Sequence, residues 1–322
     1  MNKFGTAALG MVFVCSAAQA EQSVVTVYGH FDVGLVKVSG ASPILSRGLN
    51  NWLGFRGAED LGGGLETIFN IQMRFYPDTG GMETGVLFQG ESTVGLRSKQ
   101  WGTMRIGRAL TPFWAQKWRY DPWYDSQYMG SVGAWQNGSY NSDPSFALNY
   151  ADYSRISNGV FYDSPSAGGF QLHVASELER RPGAPGRTAS YAADYIKGPV
   201  DIGLSYERNW RDDDIRFAGA SWALGAFTVM GTYGQVRLAG APHHEDNYTA
   251  AATYAVGSAD TLRLAFGTTR HAGGVEAAPA TRKIATGYVH ALSKRTTLFS
   301  DLYRETVAVR RYGVALGMTH TF

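Results

Sequence analysis

The segment Tyr312–Phe322, YGVALGMTHTF, ends the chain in strict alternation of side-chain type. In an extended chain, one face would carry its Tyr, Val, Leu, Met, His and Phe residues, and the other only small or hydroxyl-bearing residues. A globular chain usually frays at its terminus, whereas this one ends in the middle of a strand pattern on the aromatic Phe322. We therefore predict that the last strand closes a β-barrel.

The same two-residue period recurs along the chain. In Val25–Leu35 the odd-numbered positions are apolar or glycine, and most of the even-numbered positions are polar. About sixteen such segments can be counted: 24–38, 46–57, 63–75, 86–98, 101–109, 156–163, 168–178, 188–197, 200–210, 214–224, 227–237, 246–256, 260–271, 281–291, 296–307 and 310–322. An even number lets the first and last strands pair antiparallel. The predicted fold class is all-β, a 16-stranded antiparallel transmembrane β-barrel with an inward-folded loop.

The connections between these segments fall into two sets. One set is tight, as in Lys197-Gly198-Pro199 and Ser258-Ala259-Asp260. The other set is longer and rich in Gly, Pro and charge; it comprises 76–86, 179–187, 238–245 and 272–280. Short turns at one rim and long loops at the other are typical of an outer-membrane barrel.

Residues 1–20 have the features of a cleaved secretory signal peptide. Lys3 supplies the charged start, Ala7–Val14 the apolar centre, and Ala18-Gln19-Ala20 the small-residue cleavage site. The apolar run is shorter than the ~20 residues that a membrane-spanning helix needs. We predict a mature chain of residues 21–322 that forms one barrel domain. Cleavage removes Cys15, the only cysteine, and leaves no disulfide, thiolate metal site or thiol nucleophile.

Residues 111–147 interrupt the strand pattern. The segment, TPFWAQKWRYDPWYDSQYMGSVGAWQNGSYNSDPSFA, has neither strict alternation nor an amphipathic helical stripe, and it is rich in Trp and Tyr. Loops of this length inside a domain are normally functional or disordered. Disordered segments are poor in aromatic residues. We therefore expect this loop to fold into the barrel and narrow the lumen.

Four stretches of the chain resemble a Gram-negative general porin of the type common in β-proteobacteria. They are VTVYGHFDVGL (Val25–Leu35), WLGFRGAEDLGGGLETIF (Trp52–Phe69), STVGLRSKQWGTMRIGR (Ser92–Arg108) and the terminal ALGMTHTF (Ala315–Phe322). The FRGAEDLGGGL block with a terminal phenylalanine is the most specific of these features. The resemblance covers the whole mature chain.

The resemblance implies a homotrimeric, sixteen-stranded outer-membrane channel for passive diffusion of small hydrophilic solutes and ions. Its third external loop, about 111–147 here, would form the constriction. Lipid and lipopolysaccharide would surround the barrel, and the barrel-assembly machinery would recognise the C-terminal strand with Phe322 as its membrane-insertion terminus. Many relatives carry a Pro-Glu-Phe-Gly turn in the constriction loop, and no such sequence occurs here. Trp52 stands where many of them have Arg, so the narrow region is expected to be more aromatic and less basic.

A diffusion channel needs opposed charges fixed on facing walls of its narrowest region. The candidate acids on the loop are Asp121 and Asp125, with Asp143 as a further option. The candidate bases and their neighbours on strands are Arg56, Arg74, Arg97, Arg105, His30 and Trp52. The loop aromatic residues, Trp118 among them, either stack on solute rings or anchor the loop against the wall.

The resemblance also implies that the second external loop contacts a neighbouring subunit. Glu83 or Asp78 in that loop could then meet a basic residue such as Arg108. This assignment predicts a trimer contact for Glu83 and Arg108.

Two other function classes remain open at this stage. An outer-membrane barrel hydrolase would need a Ser–His or paired-carboxylate site, and none of the seven His residues lies in a recognised motif. A secreted carbohydrate-binding β-protein would explain the alternation but not the terminal strand. The run His243–Asp246 could chelate a metal, but a solvated turn is the better interpretation. We expect no cofactor, no metal and no enzymatic activity. We also expect no nucleic-acid partner, since the formal net charge is only +2.

Overall fold

The computed structural model describes residues 24–83, 86–124, 130–144, 153–272 and 280–322. The predicted signal peptide and Asp125 lie outside the described residues. The strands, in chain order, are β1 Val24–Val38, β2 Ile44–Ser46, β3 Asn51–Gly62, β4 Leu65–Phe75, β5 Glu91–Ser98, β6 Gly102–Leu110, β7 Arg155–Asp163, β8 Phe170–Glu177, β9 Ala189–Lys197, β10 Val200–Arg208, β11 Asp214–Leu224, β12 Phe227–Arg237, β13 His244–Val256, β14 Asp260–Ala272, β15 Thr281–Ala291, β16 Thr296–Thr306 and β17 Arg310–Thr321. Two short helices, α1 Pro112–Lys117 and α2 Ala134–Asn137, and a 3₁₀ turn, Trp118–Tyr120, lie between β6 and β7.

The sheet closes on itself through its first and last strands. β1 pairs antiparallel with β17, from His30 opposite Thr321 to Val38 opposite Gly313. The Phe322 amide donates to the Gly29 carbonyl (3.1 Å), and the Gly29 amide donates to the Phe322 carbonyl (3.0 Å). Closure leaves neither terminal strand with an unpaired edge, as a membrane barrel requires. The prediction that the terminal strand closes the barrel is confirmed.

The strand count agrees with the sixteen segments of the sequence, because β2 and β3 act as one interrupted strand. Both pair with β1, β2 opposite Gly34–Val36 and β3 opposite Val24–His30. Asp32 accounts for the interruption, because its carboxylate accepts the amides of Gly48 (3.1 Å) and Leu49 (2.9 Å). These side-chain bonds replace the backbone bonds that a continuous strand would make.

Alternation sorts the side chains onto two faces of the barrel. On β17, Tyr312, Val314 and Leu316 are exposed on the outside, whereas Ala315 is buried on the inside. The same pattern leaves large apolar residues exposed on most strands, including Leu204 on β10 and Leu264 on β14. Such a continuous apolar outer face suits lipid rather than water.

The two sets of connections lie at opposite rims, as predicted. β11 and β12 are joined by two residues, Gly225 and Ala226, with Leu224 paired to Phe227. Gly225 has φ of +62°, which a tight hairpin of this kind requires and other residues rarely adopt. The connections β4–β5, β6–β7, β8–β9 and β14–β15 are all longer, and the strand ends that they join lie at the other rim. No helix in the described part of the chain is long and apolar enough to cross a membrane.

Candidate functional site

The described residues between β6 and β7 pack against the inner face of the barrel. We call the described residues 111–124 and 130–144 the inner segment. Pro112 is the first residue of α1. The backbone N–H at this position has no partner within a helix, so proline, which lacks the N–H, costs no hydrogen bond. Phe113, Trp114 and Tyr120 are fully buried, and the ring of Phe113 packs edge-on against Phe217 of β11 at 5.7 Å. The helix thereby lies against β8–β11, and α2 lies against β12–β14.

Glycines on the inner face make room for this packing. They are Gly203, Gly219, Gly234, Gly267 and Gly287, on β10, β11, β12, β14 and β15. A Cβ atom at Gly219 would lie 2.3 Å from the ring of Tyr120, and one at Gly267 would lie 2.6 Å from the Cβ atom of Trp135. Larger residues at these positions would therefore push the inner segment away from the wall.

Three buried carboxylates on the wall fix the inner segment along its length. Glu207 of β10 accepts hydrogen bonds from the hydroxyls of Thr111, Tyr140 (3.1 Å) and Ser142. Glu245 of β13 accepts the amide and the hydroxyl of Ser139, at 2.8 and 2.7 Å.

The third carboxylate, Asp301 of β16, accepts the indole N–H of Trp123 at 2.8 Å. Arg263 of β14 lies 3.3 Å from Asp301 and also donates to the Pro122 carbonyl at 3.2 Å. Its guanidinium lies over the Trp123 ring, 4.8 Å from the ring centre. The two chain ends of the inner segment are thus held at β10, and its middle is held at β14–β16.

Asp121 does not face the lumen, contrary to the prediction that it lines the pore. It is buried, and its carboxylate accepts the Trp123 amide (3.0 Å), the Val132 amide (3.0 Å) and the Ser131 hydroxyl (2.5 Å). These bonds join the two halves of the inner segment. Burial raises the pKa of Asp121 above its usual 3.8, because desolvation outweighs the donors around it.

Trp118, also predicted to line the pore, is buried inside the inner segment. Its ring packs against the rings of Trp114 (6.1 Å) and Tyr124 (5.7 Å). Lys117 is fully buried beside them and donates to the Gly133 carbonyl and the Asn137 side chain, at 3.0 and 2.9 Å. Of the two interpretations of the loop aromatic residues, the structure supports anchoring for Trp118.

A row of alternating charges runs around the inner wall to the inner segment. Its members, which we call the charge row, are Glu91, Arg105, Asp163, His173, Asp194, Arg119 and Asp201. Successive members are 2.9, 3.3, 2.7, 3.3, 2.6 and 3.0 Å apart. The row contains one predicted pore-lining base, Arg105. It runs from β5 to β10 and includes Arg119, which lies in the 3₁₀ turn that follows α1.

Arg119 is the member of the charge row that belongs to the inner segment. Burial alone would lower its pKa, but the carboxylates of Asp194 and Asp201 hold that pKa above the usual range. Gln116 donates to Asp194 as well, at 2.6 Å, and Tyr120 donates to Asp201 at 2.8 Å. The same contacts therefore fasten α1 and set the charges beside it.

Arg56 faces the lumen from β3, as predicted. Its guanidinium is exposed and lies over the Tyr28 ring, 5.1 Å from the ring centre. Within the described residues it makes no ion pair with a carboxylate. Tyr28 in turn donates to Asn70 at 2.6 Å, and Asn70 donates to Glu91 of the charge row at 2.8 Å.

The remaining predicted lumen residues fall into two places. Arg97 is paired with Glu66 at 2.7 Å near the short turn between β5 and β6, so it lies at the rim. His30, Trp52 and Arg74 are adjacent across β1, β3 and β4. The His30 and Trp52 rings stack with centres 4.6 Å apart, and Arg74 is buried beside them.

The two predicted trimer-contact residues have partners within their own chain. Glu83 is buried in an ion pair with Arg47 at 2.6 Å. Arg108 donates to the Gln89 carbonyl (3.0 Å) and the Ser157 hydroxyl (2.9 Å). Their role in a subunit contact stays a prediction.

The run His243–Asp246 divides its side chains between the two faces of the barrel, with His244 and Asp246 3.4 Å apart on the outer one. Glu245 faces inward to Ser139, whereas Asp246 accepts a bond from the exposed Tyr233 hydroxyl on the outer side at 2.8 Å. In the described part of the chain, no group of three His, Asp or Glu side chains is arranged to hold a metal ion.

Comparison with known proteins identifies the family. Residues 5–307 match the Gram-negative porin family. The chain belongs to the Gram-negative porin family. It is 30% identical to an outer-membrane porin protein of Bordetella pertussis over 243 residues, which is 65% of this chain and 60% of that protein. It is 28% identical to outer membrane porin protein 32 of Delftia acidovorans over 316 residues, or 90% of this chain and 86% of that protein.

The solved structures agree with the observed barrel. The anion-selective porin from Comamonas acidovorans superposes with a TM-score of 0.79 at 23% identity, covering 94% of this chain and all of that one (100%). The family and these relatives assign this porin to the outer membrane of a Gram-negative bacterium. They favour a channel over the hydrolase and carbohydrate-binding alternatives.

Proposed function

We propose that this porin is a water-filled channel through which small hydrophilic solutes and ions diffuse passively, and that the inner segment narrows it. The attachment of the inner segment to only part of the wall carries the proposal. Its hydrogen bonds to Glu207, Glu245 and Asp301 all lie between β10 and β16. The inner faces of β1 and β3–β6 then form the other side of the passage.

In this arrangement the passage has charged groups on both sides. Glu91 and Arg105 lie on the wall, and Arg119 with Asp201 lies beside α1. A solute dipole passing between them experiences a transverse field, which orders it and sorts ions by sign.

Arg56 is the candidate source of a preference for anions, because the charge row, with four carboxylates and three bases, supplies no excess positive charge. The charges of the charge row are paired with each other, so each is partly neutralised by its neighbours, whereas Arg56 lacks an acidic partner among the described residues. We infer a modest preference for anions. A solved structure similar to this porin is described as an anion-selective porin, which supports the inference.

The test is the reversal potential of refolded protein in planar bilayers under a KCl gradient. A unit positive charge ~4 Å from an ion in water attracts an anion and repels a cation by about 1 kcal/mol each, so Arg56→Gln should lower the anion-to-cation permeability ratio by up to about 30-fold. Arg304→Gln is the matched control, because Arg304 carries the same charge on the outer face of β16.

Two results would contradict the proposal. Folded protein that forms no conducting channel would exclude the diffusion channel itself. An Arg56→Gln reversal potential equal to that of Arg304→Gln would exclude Arg56 as the source of selectivity.

We further propose that the porin is a homotrimer, as its resemblance to general porins implies. Size measurement of the detergent-extracted protein by light scattering should give three chains for each particle. The full chain with its signal peptide has a mass of 35.0 kDa. Particles that contain a single chain and are folded and conducting would contradict this assignment.

A further inference from the structure

A hollow of about 460 Å³ lies on the inner face of β1 and β3–β6, away from the strands to which the inner segment is attached. We call it the lumen hollow, and its lining includes Val24, Arg56, Ala58, Ile68, Glu91 and Arg105. Its volume is within the range of small-molecule binding sites. The lining combines apolar and charged side chains, which a wall that contacts only water does not need.

Three apolar side chains form the floor of the lumen hollow. We call Val24, Ala58 and Ile68 the apolar strip. Val24 pairs with Ala58 and Ala58 pairs with Ile68, so the three lie side by side on β1, β3 and β4. They share the inner face with Arg56 and Asn70, which are two residues away on β3 and β4. Val24 is exposed and the other two are partly exposed. Because the interior of a water-filled barrel is polar as a rule, three adjacent apolar side chains there point to an apolar partner.

Cations border the apolar strip on two sides. Arg56 follows Ala58 towards the rim with the long loops, about 7 Å along the strand. Arg105 lies in line with the strip, because Ile68 pairs with Gly95 and Gly95 pairs with Arg105. Since Gly95 has no side chain, the floor stays low up to this second cation.

The carboxylates around the lumen hollow are held by partners of their own. Glu91 is paired with Arg105 at 2.9 Å. Nearer the short turns, Glu66 is paired with Arg97 at 2.7 Å, and Asp60 accepts an amide at the end of β3 at 2.8 Å. Arg97 and Arg105 are therefore engaged with carboxylates of the wall and are less available to a solute.

Arg56 is placed to receive an anion from the lumen. Its guanidinium is exposed and stacks over the Tyr28 ring, and no carboxylate pairs with it in the ranges that the structure describes. An anion at Arg56 would have the apolar strip directly beside it, on the side towards the short turns.

We propose that the lumen hollow binds organic monoanions with an apolar body, such as aryl or alkyl carboxylates. The carboxylate contacts Arg56, and the apolar body covers the apolar strip. A small anion contacts the guanidinium alone, so the strip selects among the anions that the charge attracts. The inference rests on the proposed function, because the lumen hollow lies along the proposed passage. Binding is weak, since a site in a diffusion channel must also release its solute.

Fluorine NMR line broadening tests the proposal on the whole refolded protein in nanodiscs, with empty nanodiscs as the background. The probe is 4-fluorophenylacetate, and fluoroacetate has the same charge without the ring. Because one face of the ring leaves water on the apolar strip, 4-fluorophenylacetate should bind the wild type about tenfold more tightly than fluoroacetate.

Two variants separate the charge from the apolar contact. Arg56→Gln should weaken the binding of both probes about fivefold, because it removes a unit charge beside the anion. Ile68→Thr should weaken the binding of 4-fluorophenylacetate about threefold, because it makes the strip smaller and more polar, and retained fluoroacetate binding would show that this variant is folded. Ile284→Thr is the matched control, since Ile284 is exposed on the outer face of β15, and it should bind both probes as the wild type does.

The outcomes distinguish this site from the channel itself. Equal binding of the two probes to the wild type would overturn the proposal, as would equal binding of 4-fluorophenylacetate to Ile68→Thr and Ile284→Thr. Folded protein that prefers the ring but does not conduct would support the site and contradict the diffusion channel. Conducting protein that shows no preference for the ring would contradict the site alone.

Discussion

Glu207 offers the sharpest test of whether the inner segment controls the passage. Its carboxylate is fully buried on β10 and accepts hydrogen bonds from Thr111, Tyr140 and Ser142. Leucine has a similar volume but no acceptor, so Glu207→Leu leaves three hydroxyl donors near the two ends of the inner segment without their partner. The strand itself keeps its backbone pairing with β9 and β11.

The size of the effect follows from two opposing contributions. A buried donor left unsatisfied costs about 1–3 kcal/mol, so three of them cost about 3–9 kcal/mol. Removing a buried charge offsets part of this cost, and Ser142 keeps its bond from the Trp114 indole (2.8 Å). We expect a net cost of about 2–4 kcal/mol, which raises the detached population of the inner segment by roughly 30- to 1000-fold.

Single-channel recording and limited proteolysis report detachment directly. Glu207→Leu should give a larger and noisier conductance than the wild type, and proteases should cut within residues 111–144. Glu66→Leu is the control, since Glu66 is an exposed lumen acid bonded to Arg97 at 2.7 Å, away from the inner segment. Conductance and cleavage equal to those of Glu66→Leu would refute the reasoning.

Two further predictions concern closure and pH. Gly29→Val should lower the temperature at which the barrel unfolds, because a Cβ atom there would lie 2.3 Å from the Phe322 ring. Gly231→Val should not lower it, because a Cβ atom at Gly231 would have a single neighbour, the Thr249 carbonyl oxygen at 3.7 Å. Burial raises the folded-state pKa of Asp121 above 3.8, so the attachment of the inner segment should strengthen as the pH falls from neutral towards that value. Proteolysis of residues 111–144 should slow accordingly, and Asp121→Asn should weaken this pH dependence; a wild-type rate independent of pH would contradict the prediction.

The sequence predicts the barrel well because the period of two is a local property. Each segment shows which residues face lipid, and Val25–Leu35 and Tyr312–Phe322 are placed as the alternation requires. The short break between β2 and β3 has a less visible cause. It depends on Asp32 capping the amides of Gly48 and Leu49, which are 16 and 17 residues away in sequence.

The site was harder to predict because its contacts are distant in sequence. Arg56 and Arg105 are found from alternation alone, since any charged residue on the inner face of a strand meets the lumen. Alternation does not predict the position of Asp121, because its carboxylate accepts hydrogen bonds from amides of its own segment, including that of Val132. Asp194 and Asp301 were missed, although both occupy inward positions, because nothing local shows that Arg119 or Trp123 will meet them.

The wall glycines carry a similar signal. Gly203, Gly219, Gly234, Gly267 and Gly287 all fall at inward positions of neighbouring or nearby strands. A lumen filled only with water would place no limit on side-chain size there. Recurrent glycine on the inner face therefore indicates that another part of the chain packs closely on those strands. The signal identifies the covered arc, but only the structure identifies the inner segment as its partner.

Attachment and charge placement cannot be varied independently in this porin. Asp194 accepts Gln116, pairs with Arg119 and lies 3.3 Å from His173, so one carboxylate holds α1 and links the two parts of the charge row. A substitution at Asp194 would loosen α1 and unbalance Arg119 together, and its effect on selectivity could not be assigned to either cause. Arg56 makes neither contact, because it lies on β3, where its guanidinium stacks over the Tyr28 ring. Selectivity can therefore change at Arg56 while the inner segment stays in place, so charge and passage width are separable at this position.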